Sequence, residues 1–184
     1  MRSEGRRPRL AGLAIWFDAN GDEGVTSLVD GLRRGRLPSL RTLALYAQIG
    51  PQGATALASA LTKRELPSLD RLNLAHNPLG DAGLAALLPA LRHLPPLRLL
   101  FLTGTNITDE GVASLVAQPT AGALEALEQL WLNRNQITDA GCATLASALR
   151  GGALPALKQL LLHGNPASQQ AQDAVLAALL SSRQ

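Results

Sequence analysis

Leu-Glu-Gln-Leu-Trp-Leu-Asn-Arg-Asn-Gln-Ile-Thr-Asp-Ala-Gly, residues Leu127 to Gly141, is the stretch whose reading decides the fold. Its opening leucine recurs as Leu10, Leu40, Leu69, Leu97, Leu127 and Leu157, at spacings of 28 to 30 residues. Each opens a near-copy of the same phrase. A self-similar period of that length marks a solenoid, in which every unit packs mainly on its two neighbours.

Positions are counted from each opening leucine. Positions 1, 4 and 6 are apolar in every copy, from Leu10, Leu13 and Ile15 to Leu157, Leu160 and Leu162. The alternation at positions 4 and 6 predicts a strand with one buried face. Position 9 carries Asp18, Asn77, Thr105, Asn135 or Asn165. A short polar side chain there can pair with backbone groups left over where the strand turns away. Position 11 is usually apolar (Leu79, Ile107, Ile137) and position 15 usually glycine (Gly24, Gly83, Gly111, Gly141). Helical spacing follows, as in Leu84, Leu87, Leu88 and Leu91. Thr108 and Thr138 stand where an N-cap is wanted. Pro38, Pro67, Pro95, Pro96 and Pro155 fall after the helices, where they end one helix without disturbing the next strand. Each unit therefore reads strand, turn, helix, return loop.

The motif Leu-x-x-Leu-x-Leu-x-x-Asn, with Ile137 and Gly141 after Asn135, resembles the leucine-rich repeat. The length of 28 to 30 residues and the glycine-led helix resemble the ribonuclease-inhibitor-like subclass. The resemblance spans Leu10 to about Leu180 and implies an α/β solenoid, an open arc with a parallel concave sheet and convex helices. The expected organisation is a basic tail, residues 1–9, then one domain over 10–184 with six repeats, the last acting as a C-terminal cap. Gln169, Gln170, Gln172, Asp173 and Arg183 supply the polar helix of that cap. Repeat two is one residue short, leaving Ala47 or Gln48 in place of the asparagine, and a distorted turn is expected there. Asn20 replaces an apolar residue in repeat one, so its turn should be looser. No comparable cap stands at the N-terminus. Three readings follow: an exposed first strand, a chain that is part of a longer protein, or a partner over the edge; the second is favoured.

Composition narrows the function classes. The chain has 184 residues, of which 46% are hydrophobic and only 3% aromatic. Its one cysteine, Cys142, excludes an internal disulfide and points to a cytoplasmic protein, with the nucleus as the alternative compartment. No apolar run approaches the roughly 18 residues that cross a bilayer. The apolar stretch Leu10 to Phe17 fits the repeat register, which argues against a signal peptide. The net charge of +3 rests largely on Arg2, Arg6, Arg7, Arg9, Arg33, Arg34 and Arg36, in a tail and a loop region. That scatter argues against nucleic acid, whose readers gather cations on one face.

Within the resemblance, positions 3, 5 and 7 face out of the concave sheet. Phe101 and Trp131 hold position 5, Trp16 and Tyr46 position 7, and Phe17 position 8. Rings that ordinarily sink into cores are thus placed outside. Leu99, Phe101, Trp131 and Leu161 are expected to line up on neighbouring strands, bordered by Arg71, Asn133 and His163. An apolar patch with a polar rim marks a contact site. The expected function is non-catalytic binding of a protein or peptide through Trp16, Tyr46, Arg71, Leu99, Phe101, Trp131, Asn133, Leu161 and His163.

No enzyme reading has a motif behind it: phosphate loop, nucleophile elbow and dinucleotide fingerprint are all absent. Cys142 sits where other repeats place Val25, Leu84 or Val112 and reads as a small core residue. His76, His93 and His163 lack metal-ligand spacing, so no metal or cofactor is expected. Acids at the helix starts, Asp22, Asp81, Asp109 and Asp139, are explained by capping and the helix dipole. The alternative is a regulator of an enzyme, since ribonuclease inhibitors and Ran GTPase-activating proteins resemble this subclass. A fragment of a larger sensor or receptor is the third reading.

Overall fold

The computed structural model describes residues 10–16, 21–35, 37–61, 66–117 and 123–182. Among the described residues, six strands alternate with six helices in chain order. The strands are β1 (Gly12–Trp16), β2 (Thr42–Tyr46), β3 (Arg71–Asn73), β4 (Leu99–Phe101), β5 (Gln129–Trp131) and β6 (Gln159–Leu161). The helices are α1 (Gly21–Gly35), α2 (Pro51–Ala58), α3 (Gly80–His93), α4 (Asp109–Val116), α5 (Asp139–Arg150) and α6 (Gln169–Ser181). A 3-10 turn, Ala123–Ala126, precedes β5. The strands form one sheet in the order β1-β2-β3-β4-β5-β6, all parallel and each paired with its sequence neighbours. The architecture is the α/β leucine-rich-repeat solenoid, an open arc. Phe17, Asp18, Asn20, the tail 1–9, Arg36 and Arg183 lie outside the described residues, as do the side chains of Arg33 and His93.

The register explains the core. Leu43, Leu72, Leu100, Leu130 and Leu160 are direct cross-strand partners, so position 4 forms one continuous row. From Leu40 onward the leucines at positions 1, 4 and 6 are all buried. The first layer departs from the sequence expectation: Leu10 is 47% exposed, and Leu13 and Ile15 are only half-buried. The physical reason is one-sided packing, since among the described residues β1 has a neighbour on one edge only. At the other end Leu176 and Leu180 are exposed on α6, so the polar cap expected there is incomplete.

Asparagine at position 9 joins each unit to the one before it. Asn135 Oδ1 accepts the N–H groups of Thr105 and Ile107 at 2.9 and 3.0 Å, and its Nδ2 donates to the carbonyls of Leu102 and Leu132. Asn165 does the same for Asn135, Ile137, Leu132 and Leu162. Asn77 serves Ala47, Ile49, Leu45 and Leu74. Repeat two is thereby resolved: Ala47 takes the asparagine's place, and Ile49 fills the buried apolar position. The residue it lacks is position 8, which is left-handed in the next four units, at His76, Gly104, Arg134 and Gly164, with φ of 57 to 77°. Thr105 breaks the ladder, because its hydroxyl donates to Leu102 O within its own unit.

A second ladder runs along the helix starts. Asp81 accepts both the N–H and the hydroxyl of Thr108, Asp109 those of Thr138, and Asp139 those of Ser168. Asp22 accepts the N–H of Gly50 at 2.8 Å. Thr108, Thr138 and Ser168 in turn cap their own helices by accepting from Glu110, Ala140 and Ala171 N–H. The acids thus cap the next repeat's turn as well as favouring their own helix end. Their position accounts for the glycine: a Cβ at Gly53, Gly111 or Gly141 would meet Oδ1 of Asp22, Asp81 or Asp109. Gly83 faces no carboxylate, only Leu79 and Ala54 Cβ at 3.1 and 3.3 Å, because repeat two has no acid at its helix start. In the last unit Ala171 replaces the glycine, and its N-cap Ser168 has φ −61°, against −105° and −98° at Thr108 and Thr138.

Two outcomes test this packing. Leu74→Ala empties a fully buried site and should cost roughly 2–5 kcal/mol in chemical denaturation. Gly141→Ala should lower the melting temperature despite the better helix propensity of alanine, and by more than Gly83→Ala does; equal effects would dissociate the glycine from the carboxylate ladder.

Candidate functional site

The concave face is built from three rows of outward side chains. The position-5 row runs Ala14, Ala44, Asn73, Phe101, Trp131 and Leu161 in direct register. Phe101 and Trp131 meet with ring centroids 4.4 Å apart and planes tilted by 46°. Trp16 and Tyr46 stack at 5.3 Å with planes only 13° apart. Asn73 connects the two groups: it neighbours Phe101 in the sheet, and its Nδ2 donates to Tyr46 Oη at 2.7 Å. One band therefore crosses the sheet from Trp16 to Leu161. Trp16, 67% exposed, is its most open member, while Tyr46, Phe101, Trp131 and Leu161 are half-buried. The Trp131 indole N–H is covered and has no hydrogen-bond acceptor among the described residues.

Other expected members fall elsewhere. Leu99 is half-buried in the position-3 row, between Arg71 and Gln129, so it flanks the band and is not in line with it. Asn133 is 7% exposed, and its Oδ1 accepts the Thr103 hydroxyl at 2.8 Å, so it is a buried turn residue that presents little to a partner. The bond to the adjacent turn is what seals it, whereas Trp16 and His163, at the same position of the first and last units, stay exposed. His163 is exposed at the C-terminal end, beside Leu161 in a cleft of about 210 Å³ under α6. Arg71 is half-exposed, with Nε 3.5 Å from Asp70 Oδ1.

Position 2 carries the electrostatics of the face. Its residues alternate in sign: Arg41, Asp70, Arg98, Glu128, Lys158. Parallel stacking turns that alternation into ion pairs between units: Arg41–Asp70 at 3.4 Å, Arg98–Glu128 at 2.8 Å and Lys158–Glu128 at 3.1 Å. The hydrogen bond from Arg98, seconded by that from Lys158, holds the Glu128 carboxyl down at about 2, and the same pairing with Glu128 raises Arg98.

Reactive groups are elsewhere and quiet. Cys142 is buried, and burial followed by the charges of Asp139 and Asp109 pushes its thiol up, away from the thiolate a nucleophile requires. No cluster of three potential metal ligands exists among the described residues. No helix among them is long and apolar enough to cross a membrane.

A carboxylate held below its unfolded value contributes stability that is full at neutral pH and fades as the pH falls from about 4.5 to about 2. The melting-temperature difference between wild type and Glu128→Gln should therefore shrink through that window on acidification. A difference that is constant with pH would show that the pairs add nothing to folding; the effect is small because the cations are exposed.

A family model described as "Leucine Rich repeat" matches residues 65–88, 93–116 and 126–146. The three matched segments carry β3, β4 and β5, with all of α4 and the first parts of α3 and α5. No curated protein sequence matches the chain. These matches, with one sheet of six parallel strands stacked at the repeat spacing, support a leucine-rich-repeat protein.

Proposed function

We propose that the chain is a non-catalytic recognition module that holds a protein or peptide segment against its concave sheet, with Trp131 as the central anchor. The observation that carries this reading is the band Trp16–Tyr46–Asn73–Phe101–Trp131–Leu161, in which Asn73 bridges large aromatic and apolar side chains left exposed or half-open on the sheet. From Leu40 onward the leucines at positions 1, 4 and 6 are buried without help from the rings on the opposite face. Aromatic side chains in such places are the usual anchors of interfaces. The repeat length, with an α-helix in every return segment, supports the ribonuclease-inhibitor-like subclass. An inhibitor of a basic enzyme, as in that subclass's namesake, is disfavoured by the cations at positions 2 and 3. A single buried thiol is consistent with the cytoplasm as the working compartment.

Trp131→Ala should fold normally by circular dichroism and cost about 2 kcal/mol or more in affinity for the partner. The partner is sought by crosslinking pull-down from native extract, comparing wild type with a Phe101→Ala, Trp131→Ala double variant. A protein captured by wild type and lost by the variant places recognition on the concave face. Equal capture by both moves recognition to the helices, the loops or the open edge of β1.

A further inference from the structure

The ion-pair ladder beside the band has unequal sides. Its carboxylates lie underneath: Asp70 and Glu128 side chains are 18% and 23% exposed. Its cations lie on top: Arg41, Arg71, Arg98 and Lys158 are 69, 53, 54 and 66% exposed. Four cations therefore stand over two acids, and each acid is already shared by two of those cations. What a ligand meets along this edge is positive charge. The acids of the opposite edge, Asp22, Asp81, Asp109 and Asp139, are committed to turn and helix N–H or hydroxyl groups of the following unit.

Resting on the reading of the concave band as the binding site, we infer that its ligand is an acidic, apolar peptide segment. An apolar side chain seats against Phe101, Trp131 and Leu161, and Asp or Glu residues of the same segment reach Arg71, Arg98 and Lys158. Geometry sets the spacing. Position 2 precedes position 5 by three strand residues, about 10 Å. In an extended segment lying along the strands, the acid then falls two to four residues from the anchor. Arginine suits this task, because its guanidinium has five donors in a planar fork and retains free ones while bonded to Glu128. Solvent-exposed cations around an apolar centre supply steering and selectivity, while the centre supplies most of the affinity. A single-stranded nucleic acid fits less well. The rings it would stack on are engaged with each other at 4.4 and 5.3 Å.

The test is selection from a random-peptide display library on the full chain, run in parallel on the Phe101→Ala, Trp131→Ala variant, followed by titration of one synthesised winner. The expected pool is retained by wild type, lost by the variant, and enriched in Asp and Glu two to four residues from an apolar residue. Replacing the winner's acids by their amides should weaken binding about tenfold, the effect of roughly 1.4 kcal/mol. Arg98→Gln should weaken it several-fold, and so should Arg71→Gln, which leaves the Glu128 pairs intact. A pool lost by the aromatic variant but without acidic enrichment overturns the charge inference and leaves the binding face standing. A pool indifferent to the aromatic variant, or no pool above bare support, overturns both. Tight binding of oligo-uridylate that vanishes with the aromatic variant overturns the peptide in favour of a polynucleotide.

Discussion

The amide of a position-9 asparagine is the constraint on which the stacked units depend. Where a parallel strand ends and the chain must turn toward its helix, two N–H groups and two carbonyls lose their sheet partners, and buried polar groups without partners cost about 1–3 kcal/mol each. Asn77, Asn135 and Asn165 satisfy them with one side chain apiece, bonding simultaneously to their own unit and to the preceding one. Because each amide spans two layers, it fixes the offset between them. That offset brings position 4 over position 4 and buries the leucine row. The same offset sets every cross-unit contact described above, including the ring pairs and the ion pairs.

Charge is divided accordingly. On the helix-start edge, each aspartate is spent on the turn of the following unit, and the glycine three residues beyond the N-cap exists to leave room for it. On the strand-entry edge, Asp70 and Glu128 sit beneath arginine and lysine side chains. Both sets of acids are therefore structural, and the accessible charge next to the aromatic band is cationic. A chain with a net charge of only +3 can thus present a locally positive binding face.

Much of this was legible in one dimension. Leucines at positions 1, 4 and 6 announced a strand with one buried face. The placement of Trp16, Tyr46, Phe101 and Trp131 at positions 5 and 7 announced an apolar outer surface, because strand alternation is local and needs no knowledge of neighbours. Thr138 as an N-cap was equally local. The charge ladder was also within reach, since Arg41, Asp70, Arg98, Glu128 and Lys158 alternate at the repeat spacing once position 2 is read down the column. Other features were not readable in this way. Asn133 has the sequence position of an outward residue, yet it is sealed by the Thr103 hydroxyl of the adjacent turn. Leu99 belongs to a different row from Phe101. Leu13 and Ile15 carry the core pattern, but the end layer leaves them half-open.

The sequence by itself determined the repeat, the alternation of faces and the identity of the exposed rings, since each follows from geometry within one unit of about 30 residues. Tertiary structure decided which side chains of different units touch. Asn73 links Tyr46 to the Phe101 row, Asp109 displaces any Cβ at Gly141, and Glu128 is shared between Arg98 and Lys158. These contacts depend on how one layer sits over the next, and that lateral offset is set by backbone pairing and asparagine bridging across units, which no local pattern encodes.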